Sequence, residues 1–529
     1  MTTKSFGLAM LVAGTVACAL PLLGASDDAS AVLARHKAFM GWAYGDGTLN
    51  SIRETIVPPA QPAPGSSPPP PTTTNDPEPT RSDVVRRGLL YRFSGMAHGH
   101  SEGDQGFTGS VFWRSSDNGF TVTVRGHDAT LALTEDVIES EAFAEVPSAL
   151  RPATTFDEKR AAVVRISPQQ GVPADLFFGE DGALLGYTLD PADAEESETV
   201  HIVSYGEFAP HKRYAVAVRY GDSRGTYHIV DVQPNAPVSD ADLHPPAPRA
   251  TWTFGEPHTV PITIRHGTYA GTAVYVDVVI NGHTGQFLLD SGAGGTLLSD
   301  HFARAAKLEE IGQTAFSGVN GAAVAATTVK IATISIGGST LHNVIAERAP
   351  PLVQGEREDS SSDGIIGYDL LAAALVDVDL SSNRLTILDP REHQPVVGKG
   401  AYAFPLDLSY FHAGVPLKLG SDVLPSVWID TGNAFFVILP KAMEQRHVAT
   451  ITNKIYFNGV DGISEYPADC ARFSEVQIGP YRYQNALSCF APNEAFGKGG
   501  GLIGFDFLKH FNWTFDYPHG QLVLTPNGM

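Results

Sequence analysis

Apolar and polar positions alternate along much of the chain, and a period of two residues predicts half-buried β-strands. Val329–Ile336 and Phe473–Ile478 alternate in this way. Val274–Ile280 and Gln286–Leu289 are apolar or β-branched runs, and the Asn281-Gly282 pair between them favours a tight hairpin turn. The pattern therefore predicts a mainly β fold for the second half of the chain.

The first half of the chain is predicted to be β-rich as well. Residues 87–234 contain a series of predicted hairpins, with turns at Asp117-Asn118-Gly119 and Glu180-Asp181-Gly182. Ahead of them, apolar residues at helical spacing predict a helix over Ala31–Trp42. Residues 58–81 are rich in proline, which predicts an extended linker without a packed core of its own.

One pattern occurs twice in the second half of the chain. Phe287–Gly292 is an apolar run that ends in Asp-Ser-Gly, and Val427–Gly432 is an apolar run that ends in Asp-Thr-Gly. The two aspartates, Asp290 and Asp430, are 140 residues apart. A single Asp-Ser/Thr-Gly triplet is often only a turn, so its weight depends on whether the surrounding sequence repeats too.

The surrounding sequence does repeat, in the same order and at nearly constant spacing. Such ordered matches are typical of two copies of one supersecondary unit. We place the first repeat at residues 250–391 and the second repeat at residues 392–529. The matched segments are Gly318-Val319-Asn320-Gly321 with Gly459-Val460-Asp461-Gly462, Ile336-Gly337 with Ile478-Gly479, Gly364–Leu371 with Gly501–Leu508, and the apolar runs through Asp379 and Leu385 with those through Asp516 and Leu522.

A duplicated aspartate can do chemistry that one aspartate cannot. If Asp290 and Asp430 face each other, they share a proton, because two like charges at hydrogen-bonding distance cannot both ionise cheaply. Such a pair titrates as a unit, so no proton is assigned to either residue. One carboxyl group can then accept a proton from water while the other polarises a carbonyl group. The duplication therefore predicts a hydrolytic site that needs both repeats.

The two repeats resemble the lobes of retropepsin-like and pepsin-like aspartic proteases, specifically the type found in exported bacterial proteins. Asp290–Ala293 is similar to the Asp-Thr/Ser-Gly-Ala box of that family. Ile365-Ile366-Gly367 and Leu502-Ile503-Gly504 are similar to its hydrophobic-hydrophobic-Gly element, which passes behind the catalytic loop. The resemblance covers residues 250–529. It implies a bilobal double β-barrel in which one chain builds the site that retropepsins form by dimerisation.

The resemblance also implies which residues form the site. Three departures from the family pattern are visible. Asn433 follows the second glycine where a small residue is usual, and the repeats are shorter than pepsin's lobes. The segments at the place of the family's flaps, Gly318–Gly321 and Gly459–Gly462, lack the tyrosine of pepsin's flap. The implied residues are Asp290 and Asp430 as the catalytic pair, Ser291, Gly292, Thr431 and Gly432 as their supports, and Gly318, Val319, Gly459 and Val460 as substrate-binding flap residues.

The function implied by the resemblance is that of an aspartic endopeptidase, which hydrolyses peptide bonds with water and needs no cofactor or metal ion. We expect a monomer that acts on proteins or peptides. The alternative is a non-catalytic envelope protein that keeps the protease fold and binds peptides or lipid chains. Both aspartates are present, and loss of one aspartate is the usual route to an inert protein of this fold.

The first half has a weaker resemblance, which rests on layout more than on motif. Its leading helix, its hairpins and the closing run Ile229–Asn235 resemble the half-barrels of lipoprotein carriers. This implies an antiparallel β half-barrel domain within residues 26–249 that binds or positions a partner. A structural, pro-domain-like β-domain is the alternative. Pro234–Pro248 is interpreted as the linker to the second half.

Charge and the N-terminal residues indicate where the protein acts. The formal net charge of −22 disfavours nucleic acid and anionic membrane surfaces as partners. Lys4 and the apolar stretch Phe6–Leu23 predict a signal peptide over residues 1–25 and an exported protein, periplasmic or secreted. A lipid anchor at Cys18 and an uncleaved signal are the alternatives, and they are the only membrane contacts that we expect.

The sequence leaves open whether two cysteines of the exported protein form a disulfide bond. Cys470 and Cys489 lie in strand-like runs of the second repeat. An oxidising compartment favours a disulfide between them, and two free buried cysteines are the alternative.

Two further motifs in the chain could indicate other chemistry, a metal site and a serine nucleophile. The spacing of His98, His100, Glu102 and Asp104 is compatible with a metal site, but these residues lie in glycine-rich sequence before any clear strand. Two Gly-x-Ser-x-Gly segments, Gly99–Gly103 and Gly221–Gly225, lack the helix that a nucleophile elbow requires. We interpret both segments as glycine turns.

Overall fold

The structure is a computed structural model. It describes residues 28–59, 80–97, 100–192, 197–221, 225–267, 271–317, 323–349, 362–441, 443, 451–458, 465–491 and 500–528. The predicted signal peptide, residues 1–25, lies outside the described residues. Within them the chain is mainly β, as the alternating pattern predicts. No helix in the described part of the chain is both long and apolar enough to cross a membrane.

Thirteen strands of the first half form one antiparallel sheet with the order β6-β5-β4-β3-β2-β1-β13-β12-β11-β10-β9-β8-β7. Neighbours in the sheet are neighbours along the chain except where β1 pairs with β13. The strands are β1 (Ser51–Val57), β2 (Arg81–Arg87), β3 (Leu90–Ala97), β4 (His100–Phe107), β5 (Phe112–Ser115), β6 (Thr121–Thr123), β7 (Ser148–Phe156), β8 (Lys159–Ile166), β9 (Ala174–Phe178), β10 (Leu184–Leu189), β11 (Glu198–Ala209), β12 (Lys212–Tyr220) and β13 (Tyr227–Pro234).

This sheet agrees with the predicted hairpins and turns of the first half. The turns at Asp117-Asn118-Gly119 and Glu180-Asp181-Gly182 connect β5 with β6 and β9 with β10. The proline-rich residues 58–81 run between β1 and β2, which pair with each other, so this linker joins two neighbouring strands of one sheet. The half-barrel shape stays a prediction.

Three helices accompany the first sheet, and one of them contradicts the sequence-based prediction. Helix α1 (Ala29–Met40) confirms the predicted helix. Helix α2 (Gly126–Glu139) interrupts residues 87–234, so the prediction of an unbroken series of hairpins was wrong there. Its buried residues Leu131, Val137 and Ile138 recur at helical spacing and pack against the sheet. Helix α3 is one turn, Asp240–Leu243, inside the predicted second linker. We call this sheet with α1–α3 the N-terminal unit.

The remaining strands belong to the two repeats and to the sheet that joins them. In the first repeat they are β14 (Thr251–Thr253), β15 (Val260–Gly267), β16 (Gly271–Ile280), β17 (His283–Leu289), β18 (Leu297–Ser299), β19 (Glu309–Ser317), β20 (Ala323–Ile336), β21 (Ser339–Ala349), β22 (Gly364–Ile366), β23 (Leu375–Asp379) and β24 (Arg384–Leu388). In the second repeat they are β25 (Tyr402–Pro405), β26 (Ala413–Leu419), β27 (Asp422–Ile429), β28 (Val437–Pro440), β29 (Ile451–Asn458), β30 (Glu465–Ile478), β31 (Tyr481–Ala491), β32 (Leu502–Ile503), β33 (Phe511–Asp516) and β34 (Gln521–Pro526).

Short helices complete the repeats. They are α4 (Asp300–Ala305), α5 (Tyr368–Leu371), α6 (Phe505–Leu508) and the 3-10 helix η2 (Tyr517–His519). The 3-10 helix η1 (Ala142–Glu145) follows α2 in the first half of the chain. Helices α5 and α6 follow β22 and β32 at equivalent places in the two repeats.

Each repeat builds a closed barrel of six strands, and the strand order is the same in both. In the first repeat, β16, β17, β22, β18, β21 and β20 pair in that order, and β20 pairs back to β16. In the second repeat, β26, β27, β32, β28, β31 and β30 do the same, and β30 pairs back to β26. Even the parallel pairs coincide, since β17–β22 corresponds to β27–β32. The sequence repeat is therefore also a structural repeat.

A third set of strands joins the two barrels. The pairing order is β15-β24-β23-β33-β34-β25, with three strands from each repeat. Strands β23 and β33 meet at its centre, where Thr514 Oγ1 donates a 2.7 Å hydrogen bond to Asp377. Buried apolar residues from both repeats and from this sheet form one continuous core. The two repeats are thus held in a fixed relation to each other.

The structure decides the open question about the cysteines. Cys470 and Cys489 lie opposite each other on β30 and β31 and form a disulfide bond. Both are fully buried. The bond therefore joins two neighbouring strands of the second barrel.

We expect the double variant Cys470→Ala/Cys489→Ala to unfold more easily, because the disulfide limits the freedom of the unfolded chain. For a loop closed over 19 residues, the loss is about 3 kcal/mol of unfolding free energy. Urea denaturation without reductant measures it. As a control, added reductant is expected to destabilise the wild-type protein and to leave the variant unchanged. Equal stability of the two proteins without reductant would contradict the prediction.

Candidate active site

The two predicted catalytic aspartates occupy equivalent positions at the ends of buried strands. Asp290 directly follows β17 and Asp430 directly follows β27. The Asp290 backbone N–H donates to Ile366 O at 3.0 Å, and the Asp430 N–H donates to Ile503 O at 2.8 Å. In both repeats the acceptor belongs to the parallel neighbouring strand, β22 or β32. The sheet therefore fixes the backbone of each aspartate.

The surroundings of Gly292 and Gly432 show that the two carboxyl groups meet. Gly292 N donates to Asp290 Oδ1 at 2.8 Å, and Gly432 N donates to Asp430 Oδ1 at 2.9 Å. A Cβ atom placed on Gly292 would lie 2.5 Å from Asp430 Cγ. A Cβ atom placed on Gly432 would lie 2.5 Å from Asp290 Oδ2. Each carboxyl group thus packs against the glycine of the opposite repeat, and no larger residue fits there.

Crossed hydrogen bonds join the two loops, which we name the first aspartate loop, residues 290–296, and the second aspartate loop, residues 430–436. Ser291 Oγ donates to Ile429 O at 2.7 Å and accepts from Thr431 N at 3.1 Å. Thr431 Oγ1 donates to Leu289 O at 2.7 Å and accepts from Ser291 N at 3.0 Å. Both hydroxyl groups are buried. Each repeat therefore completes the backbone hydrogen bonding of the other.

The hydrophobic-hydrophobic-Gly elements lie behind the two loops. A Cβ atom on Gly367 would lie 2.4 Å from Ala293 O, and one on Gly504 would lie 2.5 Å from Asn433 O. Only glycine lets these segments approach the loop backbone so closely. Asn433, which departs from the family pattern, uses its side-chain oxygen to accept a 3.1 Å hydrogen bond from Phe435 N within the second loop.

Burial controls the protonation of the pair. Both aspartates are half-buried, and desolvation raises the pKa of Asp290 and of Asp430. The negative charge of Asp290 raises the pKa of Asp430 further, to well above its ordinary range, while hydrogen bonds to Asp290 act against the rise in its own pKa. The pair therefore keeps a proton at a pH where a free aspartate is ionised.

His412 is a residue of the site that sequence analysis missed. Its Nε2 atom lies 3.0 Å from Gly292 O, and its Nδ1 atom faces Tyr410 O at 2.5 Å. Its ring stacks on Trp428, with centroids 4.2 Å apart. Burial lowers the pKa of His412, and a neutral imidazole donates only one of the two hydrogen bonds. His412 lies outside the repeated motifs, so comparison of the repeats provides no signal for it.

The predicted flap residues fall outside the described residues. Gly318, Val319, Gly459 and Val460 all lie outside them, between the paired strands β19 and β20 or β29 and β30.

Of the residues weighed for a metal site, His98 lies outside the described residues too. Arg92 Nη2 and Ser101 Oγ donate to the carboxylate of Asp104, at 2.9 and 3.1 Å. Among the described residues, no group of three or more His, Cys, Asp or Glu side chains could hold a metal ion.

The two Gly-x-Ser-x-Gly segments also have no described nucleophile elbow. Ser101 of the first segment lies within strand β4, which continues to Phe107 without a helix. Ser223 of the second segment lies outside the described residues.

Comparison with known families finds a match within the first repeat. A family model described as aspartyl protease matches residues 276–370. The matched segment runs from β16 through α5, so it includes Asp290 and the Ile365-Ile366-Gly367 element. No curated protein matches the chain. The match supports an aspartic protease family and a peptidase activity.

We expect Thr431→Ala to lower the unfolding free energy, because it leaves Leu289 O and Ser291 N buried without a partner. Unsatisfied buried groups cost about 1–3 kcal/mol each. Chemical denaturation measures the loss. The matched control is Thr431→Ser, which keeps the hydroxyl group and should stay within about 1 kcal/mol of the wild type. Equal stability of the Ala and Ser variants would show that the crossed hydrogen bonds contribute nothing.

Proposed function

We propose that the protein is an aspartic endopeptidase in which one chain supplies both lobes of a bilobal, double β-barrel protease. The observation that carries this proposal is the reciprocal packing of Asp290 and Asp430 against Gly432 and Gly292. Two closed barrels with the same strand order support it, as does the family match to residues 276–370. The crossed hydrogen bonds of Ser291 and Thr431 supply the rigidity that the geometry needs.

The proposed reaction uses the two carboxyl groups as general base and general acid. The ionised carboxylate takes a proton from water, and the water oxygen forms a bond to the carbonyl carbon of the peptide. The protonated carboxyl group donates to the carbonyl oxygen as negative charge develops on it. The C–N bond then breaks, and the amine leaves with a proton returned from the pair. Because the pair shares its protons, we assign neither role to one residue.

Each supporting residue has a defined task in this proposal. The backbone N–H groups of Gly292 and Gly432 stabilise the ionised form of the carboxyl groups, since hydrogen bonds to a carboxylate favour its charge. Burial opposes that effect and keeps one proton on the pair. The balance of the two is what allows an acid and a base to coexist within one site.

The proposal extends to substrate and location. We propose that the substrates are proteins or peptides, that the protein acts as a monomer, and that it is exported to the periplasm or secreted. The expectation of a monomer follows from the two repeats, because one chain contains both aspartates. The flap segments around Val319 and Val460 are proposed to contact the substrate.

Asp290→Asn and Asp430→Asn are each expected to abolish peptide cleavage, because an amide can neither accept a proton from water nor share one with the remaining carboxyl group. General acid–base catalysis contributes about 10²–10⁴-fold, so at least this loss in kcat is expected. A diverse peptide library incubated with the mature protein provides the assay. The matched control is Asp506→Asn, which changes an exposed carboxylate paired with Lys509 and should leave cleavage unchanged.

The result for either single variant can contradict the proposal. Full activity after one substitution would mean that the pair is not the catalyst. If the wild-type protein cleaves no peptide but binds peptides or lipid chains, the non-catalytic alternative is favoured instead.

We expect peptide cleavage to persist at pH values above the ordinary pKa of an aspartate. It should be lost as the pH rises through the upper pKa of the pair. The sign follows from the raised pKa of Asp430, whose ordinary value is 3.8: a proton held more tightly leaves at higher pH. The pH dependence of kcat/KM reports this upper limit for the free enzyme. A decline of activity already centred on the ordinary value would contradict the expectation.

A further inference from the structure

The N-terminal unit inserts a turn into the first repeat. Asn118, between β5 and β6, is only 2 % exposed. Its Nδ2 atom donates to Ile345 O at 2.9 Å, and its Oδ1 atom accepts from Ile345 N at 2.7 Å. The side-chain amide thus pairs with both backbone groups of one residue on β21, as a neighbouring strand would.

The same amide also holds a buried carboxylate. Asn118 Nδ2 donates to Asp369 Oδ1 at 2.8 Å. Asp369 lies in α5, two residues after Gly367, and is 2 % exposed. Its other oxygen, Oδ2, accepts from Thr296 N at 2.8 Å. Thr296 is the last residue of the first aspartate loop, so a chain of two hydrogen bonds runs from the N-terminal unit to that loop.

Within the described residues, the equivalent aspartate of the second repeat has different surroundings, which breaks the symmetry between the repeats. Asp506 in α6 corresponds to Asp369 in α5, but its side chain is 54 % exposed and accepts from Lys509 Nζ at 2.7 Å. The first aspartate loop is therefore backed by a residue from outside the repeats, whereas among the described residues Asp506 is paired with Lys509 of its own repeat. Asp506 also provides a matched control within the same molecule.

Backbone contacts and apolar packing reinforce the insertion. Phe120 and Val122 directly follow the turn and belong to the same buried core as the two barrels. The N–H groups of Arg249 and Ala250 both donate to Asn118 O, at 3.0 and 3.2 Å. The hairpin is therefore built into the core and does not merely rest on its surface.

The N-terminal unit also contacts Ser409, which is close in sequence to a residue that touches the same loop. Arg125 N donates to Ser409 Oγ at 3.0 Å, and Arg114 Nη1 donates to Ser409 O at 3.3 Å. Ser409 is buried and lies three residues before His412, whose ring contacts Gly292 O in the first aspartate loop. The N-terminal unit thus makes a second contact with the second repeat, close in sequence to His412, which touches the first aspartate loop.

We propose that the N-terminal unit is a permanent part of the active site, in which Asn118 acts as a positioning residue for the first aspartate loop through Asp369. This distinguishes it from a pro-segment that is removed on activation. The activity readout rests on the proposed peptidase function, so the experiments below include readouts that do not need activity.

In the full-length protein, we expect Asn118→Ala to reduce kcat by about 10-fold or more with little change in KM, since one lost hydrogen bond to a charged group is equivalent to about a 10-fold effect or more. The amide of Thr296 should exchange its hydrogen faster in this variant, because Asp369 is no longer held against it. Asp506→Asn should change neither quantity. Unchanged kcat together with unchanged exchange at Thr296 would overturn the proposal.

A second experiment covers the case in which Asn118→Ala does not fold. A protease recognition site is introduced into the segment after α3, at Pro245-Pro246-Ala247, and the folded chain is cut there. We expect the two parts to stay together in gel filtration and to keep the activity of the uncut protein. Release of the N-terminal part at acid pH would overturn the proposal, whatever the activity of the cut protein. Since association is measured without substrate, failure of the peptidase assay alone does not affect this outcome.

The charges at the insertion predict how the cut protein responds to pH. The pKa of Asp369 is raised to about 6 by burial, and burial together with the charges of neighbouring carboxyl groups raises the pKa of Asp117 to about 6 and that of Glu347 to about 7. Glu102 faces the same cluster, and Arg249 is the cation whose charge lowers the pKa of Asp117.

Because the pKa values of these carboxyl groups are raised where the N-terminal unit meets the first repeat, docking of the two parts is favoured when the groups are protonated. The contribution to docking is complete below about pH 4 and is lost as the pH rises through 6 to 7. We therefore expect the two parts of the cut protein to remain together in acid and to separate more readily at pH 8, measured by gel filtration. In Glu347→Gln, which cannot ionise, this pH dependence should be weaker. Separation that increases toward acid pH would contradict the assignment of these carboxyl groups to the interface.

Discussion

The crossed hydrogen bonds between the two aspartate loops are the constraint on which the rest of the fold depends. Ser291 and Thr431 each donate to a carbonyl group of the opposite repeat and accept an N–H from it. Neither repeat can satisfy these buried groups alone, and an unsatisfied buried group is costly. The two barrels and the sheet that joins them through β23 and β33 therefore have to hold the loops within hydrogen-bonding distance. The meeting of the two carboxyl groups follows from that requirement.

The two repeats share a backbone plan but differ in their surroundings. The first aspartate loop is backed by Asp369 and, through it, by Asn118 of the N-terminal unit. It also contacts His412 from the second repeat. The corresponding Asp506 of the second repeat is exposed to solvent. A duplicated unit thus acquires asymmetry from residues that lie outside the duplicated motifs.

Much of the fold was predictable because its signals are local. The Asn281-Gly282 pair lies in a hairpin turn in which both residues have positive φ angles, 47° and 84°, as such a turn requires. The strands around the repeated motifs also follow their apolar patterns. Helix α2 was missed because its apolar residues lie among strand-like runs, and short apolar runs fit both periods. Asn118 was recognised only as a turn residue, since nothing in its neighbours indicates a distant partner. His412 gave no sequence signal either, because it lies outside the repeated motifs.

The order of the residues is enough to show that the chain is mainly β, that its second half is duplicated, and that each copy carries one aspartate after an apolar run. Periodicity and internal repeats express these properties directly. The folded chain adds that the two aspartates meet, that Cys470 and Cys489 are bonded, and that Asn118 lies behind the first aspartate loop. Such contacts join residues far apart in the chain, and their distances are set by how the strands close into barrels and how the units pack together.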